Sequence, residues 1–184
     1  MLKKSRMEEI DAKVASLLKD YGYNEQVDDW VDVVRFARRK GFVVGNAELH
    51  NGDDGFIVIQ PYQEKQTRFG PMVIGVNSER TKRFKRFVIG HELGHWQLHY
   101  SEGTLFRHRD GDRDRSKDEN QQEAEADYFA AALLMPTESF RRRRDEMREL
   151  GLSRSEICIR LSQIYDVPLE SVLRREEELD ELAS

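Results

Sequence analysis

The stretch that decides the fold is His91-Glu92-Leu93-Gly94-His95, in which two histidines stand four residues apart. On an α-helix, residues at this spacing share one face and lie about one turn from each other. Two imidazoles stacked in this way can bind one Zn²⁺ through ring nitrogens that lie roughly 2.0–2.1 Å from the metal. Glu92 projects about 100° away around the same turn, where it can contact water at the metal. The spacing therefore predicts a zinc site with Glu92 as the general base.

The residues around this stretch favour a buried helix over two solvated histidines. Apolar residues and both histidines recur at helical spacing, which places the histidines on the core side of the helix. We expect Ser78 to cap this helix at its N-terminus. The residues that share the core side are Phe84, Phe87, Val88, His91, His95 and Leu98.

A third metal ligand is expected from a second helix. The metzincin arrangement would place Gly and His three and six residues after His95, but Leu98 and Ser101 occupy these positions. The segment from Glu123 to Pro136 instead contains small and apolar residues typical of a buried helix. Its first glutamate, Glu123, can complete a His-His-Glu site with one coordination position left open to water.

The same segment contains two further acidic residues. Asp127 lies four residues after Glu123 and shares its face, so it can accept the second N–H of a ligand histidine and fix its tautomer. Glu125 projects elsewhere on the helix and is the weaker candidate for the metal ligand. Metal analysis of a Glu123→Ala variant would distinguish Glu123 from the alternatives, Glu125 and His99.

These two segments, Arg83 to His99 and Glu123 to Pro136, resemble the ImmA/IrrE family of metallo-endopeptidases. The family pattern is rFtlaHElGHxxlH, followed later in the chain by ExEAnxFAaxLLMP. This chain has Gly90 where alanine is usual and Asp127 where asparagine is common, and aspartate is also an acceptor for a ligand histidine. The resemblance extends roughly from Val27 to Pro136. It implies a zincin-like fold that binds Zn²⁺. The sequence does not distinguish Zn²⁺ from Mn²⁺ as the metal used in cells.

The resemblance also implies a function. Family members are similar to antirepressors that cleave helix-turn-helix repressors in phage, mobile-element or stress circuits, so we expect a site-specific zinc endopeptidase with such a repressor as its substrate. An alternative is a non-cleaving regulatory partner, antirepressor or antitoxin-like, that uses a zincin-like fold. A structural zinc domain is disfavoured because a His-His-Glu site leaves a coordination position open.

Catalysis would require more than the metal ligands and Glu92. A developing oxyanion needs a second donor, and Tyr128, Tyr100 and His99 are candidates for this role or for the rim of the cleft. A substrate peptide is expected to lie extended beside the strand that contains Val73 to Val76, where it would hydrogen-bond to a free edge.

Composition limits the classes of protein to which the chain can belong. Its 184 residues, 38% of them hydrophobic, predict one domain with a modest appended element. The chain has no stretch of 18 or more apolar residues and no apolar segment after its N-terminal lysines, so we expect no membrane span and no secretory signal. The single cysteine, Cys158, fits a reducing cytoplasm. A net charge of −5 disfavours direct nucleic-acid binding.

The chain begins with two predicted helices and continues into a small sheet. The first helix runs from Met7 to Tyr21 and ends near Gly22, and the second is capped by Asp28 or Asp29 and ends at Gly41. Three strands are predicted at Phe42–Val44, Phe56–Ile59 and Met72–Val76. A charged loop from Arg107 to Gln122 is expected between the two metal helices. Together these elements predict an α+β fold.

A small helical element is predicted at the C-terminal end, with a zincin-like domain over residues 1–140 and a helix-turn-helix-like extension over 141–184. Arg141–Arg144 is interpreted as a solvated helix face. Ser153 and Glu156 are spaced for a capping box, and a further short helix is expected from Asp166 through Val172. Residues 151–184 contain four basic and eight acidic side chains. That balance disfavours DNA binding and fits packing or docking of a partner.

Overall fold

The structure is a computed structural model that describes residues 2–50, 52–60, 71–101, 106–109 and 117–183; for 106–109 and 117 it describes the backbone alone. The chain forms two compact units. The sheet unit comprises residues 32–130, and the helical unit comprises residues 1–31 together with 131–184.

The sheet of the sheet unit forms from short apolar runs. The described strands β1 (Val43–Ala47), β2 (Gly55–Ile59), β3 (Met72–Asn77) and β4 (Phe106–Arg109) lie in the order β1-β3-β2-β4. β1 pairs parallel with β3, whereas β2 pairs antiparallel with both β3 and β4. Ile57 and Ile74 are register partners and are completely buried. The three predicted strands are confirmed with small shifts at their ends, and β4 is an addition to them.

The expected position of a substrate strand beside Val73 to Val76 is wrong. These residues belong to β3, which has β1 on one side and β2 on the other. Their main-chain groups are therefore already used in the ladders of the sheet. The outer strands of the described sheet are β1 and β4.

The helices of the sheet unit begin at caps other than those predicted. Asp32 caps α2 (Val33–Arg39) by accepting a hydrogen bond from the Arg35 amide at 3.0 Å. Thr81 caps α3 (Lys82–His99) by accepting one from the Phe84 amide at 3.3 Å. The predictions of Asp28 or Asp29 for α2, and of Ser78 for α3, are therefore wrong. The Ser78 amide instead bonds to the Ala47 carbonyl and continues the pairing of the sheet.

The predicted bounds of the charged loop, Arg107 and Gln122, are both wrong. Its first residues lie in β4, and α4 (Lys117–Leu134) begins five residues before Gln122. Asp118 and Glu119 occupy the first turn of α4, where negative charge interacts favourably with the helix dipole. The part of the loop at residues 110–116 lies outside the described residues.

The helical unit begins with α1 (Lys4–Tyr21), as its spacing predicts. Met7, Ile10, Val14 and Leu18 form its buried face. Gly22 ends the helix with φ at 89°, in the left-handed region that glycine adopts without steric cost.

Three further helices complete the helical unit: α5 (Thr137–Glu149), α6 (Arg154–Tyr165) and α7 (Leu169–Ala183). The predicted capping box of α6 is confirmed by reciprocal hydrogen bonds between Ser153 and Glu156. The predicted end of α7 at Val172 is wrong, because the helix continues to Ala183. Its buried face includes Arg175, a charged residue at a core position, so hydrophobic spacing alone underestimates the length of the helix.

The arginine run on α5 is only partly solvated. Arg142 donates to Asp29 at 2.8 Å, and Arg143 Nε donates to both oxygens of the same carboxylate at 2.9 Å. The prediction of a solvated face is therefore wrong for these two arginines and for Arg144, whose side chain is only 11% exposed. Burial alone would raise the pKa of Asp29, but its hydrogen bonds from Arg143 and Arg142 outweigh burial and lower the pKa.

The described elements combine seven helices with one four-stranded sheet, which confirms the predicted α+β class. No helix in the described part of the chain has the length and apolar character needed to cross a bilayer. The predicted boundary between residues 140 and 141 stays a prediction, and the two compact units group the chain in another way.

Candidate metal centre

Helix α3 brings two histidine rings together in the interior of the sheet unit. His91 and His95 lie one turn apart on this helix and are 5% and 1% exposed. Their Nε2 atoms lie 3.0 Å from each other. Both nitrogens therefore face the same small volume, as the four-residue spacing predicts.

Helix α4 adds a carboxylate to this pair. Glu123 places Oε2 at 3.3 Å from His91 Nε2 and Oε1 at 3.4 Å from His95 Nε2. The ligand atoms of the three residues all lie within 4.8 Å of one another, so they can hold one metal ion. Among the described residues, this is the only group of three or more histidine, cysteine or acidic side chains with such geometry.

The two metal helices approach each other closely because of Gly94. A Cβ atom on Gly94 would lie 2.9 Å from the Ala126 Cα and 3.0 Å from the Ala126 carbonyl oxygen. Both of these atoms are backbone, so no side-chain rotation could relieve the overlap. Glu123 precedes Ala126 by one helical turn, and the close approach therefore brings its carboxylate to the histidines.

Asp127 lies on the other side of the His91 ring. Its Oδ1 is 2.8 Å from His91 Nδ1, so the neutral ring carries its proton on Nδ1 and directs the lone pair of Nε2 toward Glu123. Burial alone would lower the pKa of His91, but its hydrogen bonds to Asp127 and Glu123 outweigh burial and raise the pKa to about 10. The surroundings of this ring thus favour positive charge, which a proton or a metal cation can supply.

Glu92 directly follows His91 in the sequence, and its side chain is completely buried. Its Oε1 packs against β2, since a Cβ on Gly55 would lie 3.3 Å from this oxygen and 2.4 Å from Val88 Cγ1. Gly55 therefore leaves the space that Glu92 and Val88 occupy. Sequence reasoning missed this glycine, because the packing of β2 on α3 is not visible in either segment alone.

The chain is similar to one known protein family. No curated protein matches the chain. The Peptidase_M78 model, described as the IrrE N-terminal-like domain, matches residues 37–176, which is well over half of the chain. The chain belongs to the Peptidase_M78 family. This match confirms the resemblance to ImmA/IrrE metallopeptidases and includes every residue of the candidate site.

Membership of Peptidase_M78 makes the chain a metallopeptidase-family protein with a zincin-like α+β fold, and it implies a protein substrate. The donor set fits the metal that such a family implies. Two imidazole nitrogens and one carboxylate are a typical set for catalytic zinc, and they leave a coordination position for water or substrate.

Tyr128 and Tyr100, two further predicted site residues of this Peptidase_M78 member, differ in their exposure to solvent. Tyr128 is only 1% exposed and follows Asp127 on α4. Tyr100 is half-buried and directly follows α3 as its C-cap. The roles predicted for these tyrosines, and for His99, in an oxyanion site or at a cleft rim stay predictions.

His99 and Glu125 form a pair that sequence reasoning missed. His99 Nδ1 lies 3.3 Å from His95 Nδ1, and His99 Nε2 lies 3.2 Å from Glu125 Oε2. Glu125 also accepts a hydrogen bond from Gln121 at 2.9 Å. The spacing of four between His95 and His99 was a signal for their proximity, but their link to Glu125 depends on how α3 and α4 pack.

Proposed function

We propose that this protein is a zinc-dependent, site-specific endopeptidase that cleaves a helix-turn-helix transcriptional repressor. The observation that carries the proposal is the convergence of His91, His95 and Glu123, with the buried carboxylate of Glu92 near enough to act electrostatically on His91. Family membership supports peptide hydrolysis as the class of reaction. The repressor as substrate rests on the resemblance of the two metal-helix segments to antirepressor peptidases.

In this proposal the ring nitrogens of His91 and His95 and the carboxylate of Glu123 would hold the zinc ion. The bound zinc would polarise the scissile carbonyl and lower the pKa of a water molecule. Glu92 would accept a proton from the water molecule as its oxygen attacks the scissile carbonyl carbon, and would deliver that proton to the amine nitrogen as the C–N bond breaks. Asp127 holds the His91 ring in the tautomer that keeps Nε2 free for the metal.

The buried position of Glu92 fits the role of a base. A carboxylate surrounded by protein keeps a fixed orientation, which lowers the cost of arranging the proton transfer. Its Oε1 lies against Gly55 of β2, on the side of the sheet. Among the described strands, β1 and β4 are the outer ones with which a strand-like substrate could pair, since β3 already has two partners.

The proposal is tested by incubating the zinc-loaded protein with helix-turn-helix repressors encoded near its gene and following cleavage by mass spectrometry. The wild type is expected to cut the repressor at one position. Glu92→Gln is expected to keep its zinc but to lose cleavage by a factor of at least about 100, since the general base is removed. Glu79→Gln, at an exposed glutamate before α3, is the matched control and is expected to cleave normally.

Two results would overturn the proposal. Cleavage by Glu92→Gln at the wild-type rate would remove Glu92 as the base. Tight binding of the repressor by a zinc-loaded wild type that cuts nothing would favour the non-cleaving regulatory partner. A cytoplasmic location and the absence of direct nucleic-acid binding stay predictions from composition.

A further inference from the structure

The two ligand histidines are held in different ways. His91 meets the carboxylate of Asp127 directly, at 2.8 Å. His95 Nδ1 lies 3.3 Å from His99 Nδ1, and His99 Nε2 lies 3.2 Å from Glu125 Oε2. His91 is thus linked directly to the carboxylate of Asp127, whereas His95 is linked to the carboxylate of Glu125 through the imidazole of His99.

Proton positions follow from the role of His95. A neutral imidazole has one N–H and one lone pair, so binding a metal through Nε2 requires the proton on Nδ1. His95 Nδ1–H must then donate to a lone pair on His99 Nδ1. The proton of neutral His99 is consequently on Nε2, from which it donates to Glu125 Oε2.

The geometry and burial of these groups agree with that assignment. The side chains of His95, His99 and Glu125 are 1%, 9% and 6% exposed, so water competes little for their hydrogen bonds. Gln121 donates to the other oxygen of Glu125 at 2.9 Å and fixes the carboxylate from α4. Both ring nitrogens of His99 are therefore engaged by His95 and Glu125.

We propose that His99 is a positioning residue that, together with Glu125, fixes the tautomer and orientation of the zinc ligand His95. This inference rests on the proposed metal centre and extends it to a second ligand. It gives Glu125 a role distinct from ligation, and it gives His99 a role distinct from that of a fourth ligand or an oxyanion donor.

The test measures zinc affinity, by competition with a chromophoric chelator, on the full-length wild type and on variants. His99→Leu fills a similar volume but cannot accept from His95, so its zinc affinity is expected to fall about 10- to 100-fold. His99→Gln offers an amide oxygen to His95 and an amide N–H to Glu125, and it is expected to restore most of the affinity. Circular dichroism of the metal-free proteins shows whether each variant folds.

Glu125→Gln provides a second variant in case His99→Leu does not fold. It keeps an oxygen acceptor for His99 but removes the charge, so its zinc affinity is expected to lie between those of the wild type and His99→Leu. The visible spectrum of the Co²⁺-substituted protein is expected to change in His99→Leu and to return toward the wild-type spectrum in His99→Gln.

The inference is overturned if folded His99→Leu binds zinc as tightly as the wild type, or if His99→Gln loses as much affinity as His99→Leu. If His99→Leu is unfolded, wild-type affinity in Glu125→Gln overturns it. A wild type that binds zinc but cleaves nothing would defeat the proposed endopeptidase and leave this inference intact, because the measurement is of metal affinity alone.

Discussion

At the scale of single residues, the side chains of the candidate metal site lie on two helices and contact one another. His91 and Glu123 meet from α3 and α4, and Asp127 holds the far side of the His91 ring. Residue types and spacing were enough to predict this set, because each helix offers its ligands on one face. The link from His99 to Glu125 was not predictable, because spacing within one helix does not say which residue of another helix it meets.

The role of Asp127 leads to a prediction about metal affinity. Asp127→Ala removes the acceptor for His91 Nδ1–H, so the ring is free to rotate and to change tautomer. Zinc affinity is expected to fall about 10- to 100-fold, whereas Asp127→Asn keeps an acceptor oxygen and is expected to lose less. Chelator competition measures both variants, and equal affinity of Asp127→Ala and the wild type would contradict the role.

At the scale of elements, the contact between α3 and α4 controls the geometry of the site. Gly94→Ala would normally stabilise a helix, but here the added Cβ would meet two backbone atoms of Ala126 at 2.9 and 3.0 Å. We expect the helices to move apart, with a loss of about 1–3 kcal/mol in the free energy of unfolding and weaker zinc binding.

Gly45→Ala is the matched control for this prediction, since nothing lies within 4 Å of a Cβ at that position. Urea denaturation measures the stability of both variants, and chelator competition measures their zinc affinity. A Gly94→Ala variant as stable as Gly45→Ala, with undiminished zinc affinity, would show that the close approach is not required.

The ion cluster at Asp29 ties the segment before α2 to α5 within the helical unit. Asp29→Asn removes the charge that Arg142 and Arg143 share, and it is expected to cost about 1–2 kcal/mol of stability at pH 7, because the arginines are partly solvated. The pKa of Asp29 is lowered in the folded protein. The stabilisation is therefore complete above the ordinary aspartate pKa of about 3.9 and is lost as the pH falls through the lower, folded value.

The measurement compares the unfolding free energies of the wild type and Asp29→Asn from pH 7 down to pH 3. The difference between them is expected to shrink toward the acidic end. Asp20→Asn, at an exposed aspartate of α1, serves as the control and is expected to remain within about 0.5 kcal/mol of the wild type. A difference that is constant over the whole range would show that the charge of Asp29 is not what stabilises the cluster.

The ends of the helices could be predicted only in part from the local sequence. Several Asp and Ser residues precede α2 and α3, and only the folded chain shows that Asp32 and Thr81 are the caps. Helix α7 extends past its predicted end, and its residue Arg175 is completely buried and donates from Nη2 to Thr137 Oγ1 at 2.8 Å. A charged residue that is buried in this way interrupts the apolar pattern on which the prediction depended.

At the scale of the whole molecule, the α+β class followed from the order of predicted helices and strands, but the arrangement of the strands did not. The order β1-β3-β2-β4 combines parallel and antiparallel pairing, and it places β3 between β1 and β2. Pairing between distant segments depends on packing of the complete chain, which is why a free edge was wrongly expected at β3. The metal site was less sensitive to this error because its ligands come from two helices.

The most direct test of the account is the metal content of purified protein, measured by mass spectrometry after extensive dialysis. We expect about one zinc ion per chain in the wild type and little in Glu123→Ala, which lacks one of the three proposed protein ligands. Glu119→Ala, at an exposed glutamate one turn earlier on α4, should retain the wild-type content. Equal zinc in Glu123→Ala and the wild type would contradict the account, because the centre would then not depend on the ligand that joins α4 to α3.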